Sequence, residues 1–542
     1  MDITQWYGVA LGALAALILI ISNLYIRPPV FLLKHIFYPQ IHPLIRGASK
    51  TTRFEAILIG SFLVGNVLCT TLGIKSSSDF VKRTALASVI NIIPLFFGGR
   101  INTIGSFSGI KYEAYARIHR WIGRIAIAEC IVHSTLAAAS QKSFRSRSQI
   151  SGLIATSIMA TIYLSSTKFV RRHFYEAFAK LHLILAPLAI ISIWLHIPSQ
   201  EYLKPPKVYL LITFSLYGAV LASWFVHVTY RNFRRDTPLN VAEITSTNAS
   251  TDVVTVQLKL SRPWRIRPGQ FLYFRLLTAR DFAFLQSHPF YICSWDSDTV
   301  DTVDTVSLLV EKRHGFTANL LPGGSQSEYS TMKAIVEGPF GGELRLESYG
   351  TVILFATGIG IAAQLPYIRH LLEGHQHREV TAQRIVLFWE IESEVHRYWV
   401  GDIMDDLLSM DVRFILRIKV FIKGNFIHSN RAGNVYYAPK ANRNQPKRLK
   451  YHYYPFNAEV QVGKQIGKAK GKTIISLCTN SRTTDEIRAV VCQRVNEQVA
   501  LEVLDFQPET RQSSGSYLSA VRDYLRSKRY AINNSRGNLR TV

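Results

Sequence analysis

The hydrophobic pattern divides the chain in two. Up to about residue 230, long apolar runs recur near 8–26, 56–74, 84–98, 118–138, 150–167, 181–198 and 208–229. Runs of that length predict membrane helices rather than core strands. The first has no basic leader and no convincing cleavage site, so it reads as a helix, with a signal peptide as the weaker alternative. Beyond 230 the period shortens. Residues 241–275 alternate like strands, VAEITSTNASTDVVTVQLKL and then RPGQFLYFR. β-Branched and aromatic residues at period two, punctuated by Pro268-Gly269, predict a small antiparallel barrel. An apolar strand ending at Ala356 leads into an apolar helix, and RIVLFWEIES at 384–393 reads as the next parallel strand.

Charge and composition refine this division. The mean hydropathy is +0.10 and the net charge +26. Such a charge raises the question of nucleic acid, but many of the basic residues flank apolar runs. Arg27, Lys34, Arg46, Lys50 and Arg53 lie in one loop, and Lys168, Arg171, Arg172 and Lys180 in another. The positive-inside rule then puts the N-terminus outside and the C-terminal half in the cytosol. The five cysteines, Cys69, Cys130, Cys293, Cys478 and Cys492, show neither disulfide nor zinc spacing.

The candidate chemistry of the apolar half is histidine. In IHRWIGRIAIAECIVHS, residues 118–134, His119 and His133 stand fourteen apart; in KLHLILAPLAIISIWLHIP, residues 180–198, so do His182 and His196. Fourteen residues are close to four helical turns, so each pair leaves one face, about 21 Å apart along the axis. If both helices run the same way, His119 lies level with His182 and His133 with His196. A membrane histidine can simply be an interhelical hydrogen bonder. The same spacing on two parallel spans points instead to ligation, with haem iron the fitting centre. Zinc is weaker, because no acidic or cysteine ligand accompanies the histidines. Two stacked haems with imidazole on both faces would carry electrons and bind no substrate at iron.

In the polar half, Gly358, Gly360 and Ala363 form G-x-G-x-x-A between the strand and the helix, a turn that suits a pyrophosphate at a helix N-terminus. HPFYICS at 288–294, GFTANL at 315–320 and GPFGG at 338–342 precede it. The order of histidine pairs, HPFYICS and glycine turn resembles the ferric reductase and NADPH oxidase superfamily, most closely its fungal metalloreductases. The resemblance covers roughly 85–395 and weakens towards 506. It implies a multidomain membrane protein: N-terminal membrane spans over 1–84, a haem-binding helical domain over 85–230, a β-barrel FAD domain over 231–348 and an α/β Rossmann-like NADPH domain over 349–508. A polar tail follows at 509–542.

The resemblance also assigns residues. His288, Pro289, Phe290, Tyr291 and Ser294 would line the flavin, with Arg267, Pro268, Gly269 and Gln270 in the turn leading to it. Thr317 would approach the FAD pyrophosphate. Gly338, Pro339, Phe340 and Gly341 would form a turn beside both nucleotides. Thr357, Gly358, Gly360 and Ile361 would hold NADPH, with Cys478 on the hydride path and Phe506 approaching the flavin. The chain departs from the family where Thr479-Asn480 replace the usual glycine-proline after that cysteine, and where Glu390 and Glu392 would repel a 2′-phosphate if they faced the ribose. The basic stretch 423–472 reads as a loop inserted in the NADPH lobe, solvated and without a partner in the simpler reading, with a contact to anionic lipid as the alternative.

The implied function is ferric-chelate reduction. Electrons from cytosolic NADPH would pass through FAD and two b-type haems (His119 with His182, then His133 with His196) to ferric chelates or siderophores, or to cupric ion, on the far face. The ferrous product would supply an iron importer. The plasma membrane is the expected location, with the vacuolar membrane the second choice. The rival readings are a superoxide-generating oxidase, a non-redox transporter built around Glu129, and a homologue that has lost catalysis. No calcium-binding loop of the EF-hand type is evident.

Overall fold

The computed structural model describes residues 2–506 and 508, apart from 24–27, 42–50, 97–111, 141–145, 199–203, 236–237, 247–252, 279–285, 297–301, 314, 318–319, 321–328, 424–426, 430–434 and 438–447. Each of the seven apolar runs overlaps a helix: α1 (Ile3–Asn23), α2 (Arg53–Thr71), α3 (Ser77–Ile92), α4 (Tyr112–Ala139), α5 (Arg147–Ser165), α6 (Tyr175–His196) and α7 (Pro205–Asn232). Among the described residues, four of these (α2, α4, α6 and α7) are long and apolar enough to cross a bilayer. The starts are written locally. Thr52 and Glu55 form a capping box on α2, Ser146 and Gln149 another on α5, and Pro205 opens α7.

The bundle is apolar outside as well as inside. Leu195, Phe225 and Val226 are 63–65% exposed, a surface suited to lipid and costly in water. Inside, the small residues Ala126, Ala155 and Ala189 let α4, α5 and α6 approach closely, with Met159, Ile190 and Leu210 filling the core between them. A polar chain crosses the N-terminal helices. The Tyr7 hydroxyl lies 2.9 Å from both Asn66 Oδ1 and Asn91 Oδ1, and Asn91 Nδ2 donates to Glu129 Oε2 at 2.9 Å.

The alternating segment closes into a six-stranded antiparallel barrel: β1 (Val241–Ser246), β2 (Val253–Trp264), β3 (Phe271–Leu276), β4 (His288–Asp296), β5 (Val303–Glu311) and β6 (Tyr329–Phe340), in the order β1-β2-β5-β4-β3-β6. Inward residues such as Ile244, Val256, Leu258, Leu272, Phe274 and Val336 fill it. The last lobe is a parallel sheet, β7 (Thr351–Thr357), β8 (Arg384–Ile391), β9 (Leu416–Ile422), β10 (Leu449–His452), β11 (Thr473–Cys478) and β12 (Val499–Val503), ordered β10-β9-β8-β7-β11-β12. Helices α8 (Ile361–Gln376), α9 (Gly401–Met410), α10 (Ala458–Ile466) and α11 (Ser481–Arg494) cover its faces. Burial on both faces explains why β7 and β11 read as continuous apolar runs.

The structure corrects one expectation here. The stretch 423–472 is not a loop throughout: β10 pairs in parallel with β9, Ile418 opposite Leu449, and α10 packs its Ala458 and Val462 under the sheet. Sparse aliphatics hide these elements, because an edge strand and a short amphipathic helix need only a few buried positions. The tail 509–542 lies outside the described residues.

Candidate functional site

The structure brings the four membrane histidines together in two levels. The ring centroids of His119 and His182 are 6.0 Å apart, and those of His133 and His196 are 6.2 Å apart. Two imidazoles bound to one metal from opposite sides at about 2.0 Å would hold their centroids about 6 Å apart, so both levels fit a metal between the rings. The outer rings are also oriented for it. Nδ1 of His133 lies 2.9 Å from the Val81 carbonyl, and Nδ1 of His196 lies 2.7 Å from that of Ser148. Donation from Nδ1–H to a carbonyl leaves the Nε2 lone pair for a metal. Gly152 makes room for His196: a Cβ there would lie 2.6 Å from its Nδ1.

The inner rings are held differently. His119 and His182 Nδ1 are buried, with no hydrogen-bond partner among the described residues. Aromatic neighbours flank them instead, Tyr115 at 6.3 Å from His119 and Phe178 at 5.6 Å from His182. A repeat underlies this symmetry. Residues 112–119 read YEAYARIH and 175–182 read YEAFAKLH. The histidine spacing is legible without this octapeptide, but the octapeptide is the signal that marks the inner ends of α4 and α6 as equivalent.

The soluble lobes meet the bundle at that inner end. Asn232, at the end of α7, acts as a strand partner: its Nδ2 donates to the Val336 carbonyl and its Oδ1 accepts the Val336 N–H, both at 2.7 Å. Trp224 Nε1 donates to Glu337 at 3.0 Å. Glu176, in the second octapeptide, places Oε1 3.4 Å from His288 Nε2. The carboxylate of Asp505, just past β12, accepts the N–H groups of Tyr112 and Glu113 in the first.

The residues assigned to flavin lie along β4 and on the segments beside it. Arg267–Gln270 form the turn before β3, with the Gln270 side chain accepting the Arg267 N–H at 2.8 Å and the Gln270 carbonyl accepting the N–H of Ile292 at 3.1 Å. On β4, Tyr291, Phe290, Pro289 and His288 stand opposite Phe271, Leu272, Tyr273 and Phe274. Gly338, Pro339 and Phe340 end β6, with Phe340 opposite Phe271, and Gly341 follows in the left-handed region at φ +94°. Thr317 accepts the Arg313 N–H at 3.0 Å, and its neighbour Phe316 stacks on His288. Ser294 lies past a bulge, opposite Ser307. Phe506 rests on this cluster, 4.6 Å from Phe271 and 6.1 Å from Tyr291 between ring centroids.

The nucleotide turn sits at the switch point of the parallel sheet. β7 and β11 are neighbours whose connections leave in opposite directions, and their C-terminal ends form the crevice where such folds bind nucleotides. Thr357, Gly358, Gly360 and Ile361 line one side, Cys478 the other. Gly360 is required for the contact, because a Cβ there would lie 2.1 Å from the Cys478 carbonyl oxygen. The altered residues after Cys478 have a structural use. Asn480 caps α11 by accepting the Thr483 N–H at 3.0 Å, and its own N–H donates to Thr357 Oγ1 at 2.8 Å. Burial, with the nearby Asp505 carboxylate, pushes the Cys478 thiol up to about 12. Burial also raises Tyr291 well above the usual tyrosine range, with Cys478 and Asp505 adding to it.

A helical membrane bundle joined to an antiparallel barrel and a parallel nucleotide sheet defines a membrane protein of the flavin-reductase kind. Residues 84–193 match the family described as ferric reductase like transmembrane component, 238–343 an FAD-binding domain, and 349–450 the ferric reductase NAD binding domain. Together these matches take in more than half of the chain, which belongs to the ferric reductase family. Among its relatives are Ferric/cupric reductase transmembrane component 2 of Saccharomyces cerevisiae, 23% identical over 58% of this chain and 45% of the relative. Component 7 of the same yeast is 25% identical over 61% and 54%. Probable cell surface ferric reductase kap2 of Aspergillus oryzae is 25% identical over 66% and 51%. The chain thus spans about half the length of the curated relatives it matches.

Proposed function

We propose that this protein is a ferric-chelate reductase that moves electrons across a membrane, from cytosolic NADPH to ferric or cupric chelates on the other face, in support of iron uptake. The observation that carries this reading is the two levels of histidine rings at iron-bridging spacing, 6.0 and 6.2 Å, on helices whose inner ends dock against the flavin barrel. Bound FAD would supply the conversion between a two-electron hydride and single electrons, and haem held by the paired histidines would supply one-electron carriage.

The residues have separable tasks. Thr357–Ile361 cradle the dinucleotide at the switch point. Cys478, protonated at neutral pH, presents an uncharged floor beside it. His288–Tyr291 and Gly338–Gly341 shape the flavin end of the barrel, and Thr317 stands where a pyrophosphate would pass. Glu390 bears on the choice of cofactor: it is buried, with the Lys423 ammonium 3.0 Å from Oε2, so its charge is offset rather than turned on a 2′-phosphate. His119 and His182 hold the inner position, His133 and His196 the outer one. Glu129, the acid that a transporter would need, is tied to Asn91 in the polar chain from Tyr7.

The test is spectroscopic. Dithionite-reduced protein is expected to show low-spin b-type bands at about two haems per chain, and NADPH is expected to drive reduction of a ferric chelate. A protein without haem would sink the reading. Superoxide as the main product would replace it with an oxidase on the same scaffold.

A further inference from the structure

The octapeptides at the inner ends of α4 and α6 do more than position histidines, and the segment after β12 shows what. Asp505 spans the first backbone groups of α4: Oδ2 lies 3.2 Å from the Tyr112 nitrogen and Oδ1 3.3 Å from that of Glu113. These are among the N–H groups that a helix start leaves without internal partners, and a carboxylate there also meets the positive end of the helix dipole. The next residue continues the contact. The Phe506 ring stacks on Tyr112 at 5.2 Å and meets Phe271 edge-on at 4.6 Å. The Tyr291 hydroxyl donates to the Asp505 carbonyl, and the Leu504 N–H donates to the Leu477 carbonyl at 2.9 Å, one residue before Cys478.

Three consecutive residues therefore touch all three parts of the molecule: Leu504 the nucleotide sheet through Leu477, and Asp505 and Phe506 the flavin barrel through Tyr291 and Phe271 and the histidine helix through Tyr112 and Glu113. Phe506 holds this geometry from the left-handed region, at φ +49°, a conformation a bulky residue adopts only where its surroundings impose it. His119 lies seven residues into α4, about 10 Å along the axis from Tyr112.

We propose that Asp505 is a positioning residue for electron transfer between the flavin and the inner histidine pair, acting by clamping the start of α4 to the flavin end of the barrel. This rests on the reductase reading above. The carboxylate transfers nothing; it sets how much of the time α4 and the barrel are docked. Hydride transfer to the flavin does not pass through the contact of this carboxylate with α4, so the two steps respond differently to its loss.

The experiment compares Asp505→Ala and Asp505→Asn with the parent chain in detergent, both loaded with FAD and haem. Anaerobic mixing with NADPH is followed at flavin and haem wavelengths, and amide hydrogen exchange is read separately on peptides covering Tyr112 and Glu113. Losing a helix cap lowers the ratio of docked to undocked molecules by about fivefold. Asp505→Ala is therefore expected to slow haem reduction by up to that factor, to speed exchange at those amides, and to leave flavin reduction unchanged. Asp505→Asn keeps one oxygen acceptor and is expected to restore much of both. Parent-like haem reduction in Asp505→Ala would overturn the proposal, as would an equal slowing of flavin and haem, which would put Asp505 in the nucleotide site. If haem is missing from the parent chain, the reductase reading fails. Exchange at Tyr112 and Glu113 still reports on the clamp in that case, and unchanged exchange in Asp505→Ala would reject it.

Discussion

The two histidine levels look alike in sequence and differ in structure. At the outer level, backbone carbonyls of Val81 and Ser148 lie within 2.9 Å of the Nδ1 atoms, so the fold itself chooses the tautomer and aims Nε2 inward. At the inner level, the Nδ1 atoms of His119 and His182 have no partner among the described residues, and the rings lean on Tyr115 and Phe178. The outer pair is prepared by hydrogen bonds before anything binds. The inner pair is held by aromatic packing, and the soluble lobes dock about two turns away, at Tyr112, Glu113 and Glu176.

The sharpest way to break that comparison is to remove one ligand from each level. His133→Ala is expected to lose half the haem signal and to reduce ferric-chelate turnover by more than about a hundredfold. NADPH should still bleach the flavin and the remaining haem. His119→Ala is expected to lose as much turnover, but with no haem reduced by NADPH. Identical haem behaviour in the two variants would mean that the levels do not act in series.

A smaller effect separates packing from ligation. Gly152→Val forces a side chain against the His196 ring, whose Nδ1 would lie 2.6 Å from the new Cβ. Outer-haem affinity is expected to fall by about tenfold, measured by haem retention during purification, while the inner haem stays. Among the described residues no glycine makes such a contact at the inner level, so Gly123→Val, whose Cβ meets only Leu95 at 3.9 Å, serves as the control.

The mildest effect concerns the nucleotide crevice. Cys478 is held as a thiol by burial, up from an ordinary 9.0 to about 12. In the unfolded chain the thiol ionises from about pH 9, while in the fold it stays protonated. Its contribution to stability is therefore complete below that pH and is lost as the pH rises towards 12. Cys478→Ala should flatten the alkaline end of the stability curve. At neutral pH, Cys478 should resist iodoacetamide by at least about a hundredfold relative to a free thiol, read by peptide mass spectrometry. Rapid labelling would show that the crevice opens.

Much of the fold was legible because its signals are local. Apolar helices announce themselves by length and barrel strands by alternation, and the G-x-G turn sits where β7 ends; among the described residues, four of the seven apolar helices have the length and hydropathy of a span. The two elements of the sheet lobe hidden in 423–472 were not legible: an edge strand and one short helix carry too few apolar positions to stand out from a basic background. The use of Asn480 was also hidden. After Cys478 it reads as a departure from a family turn, and only the fold shows it capping α11 and bonding to Thr357, 123 residues away in the chain.

The sequence by itself determined that two fourteen-residue histidine pairs lie on apolar helices, and that a nucleotide turn follows a barrel. Periodicity and spacing are properties of a single segment, and a single segment suffices to state them. Tertiary structure alone decided that the rings face each other at about 6 Å, that carbonyls hold the outer pair, and that Asp505 reaches the start of α4. Those facts depend on contacts between residues up to 393 positions apart, and no local pattern encodes which distant carbonyl or carboxylate will arrive at a given nitrogen.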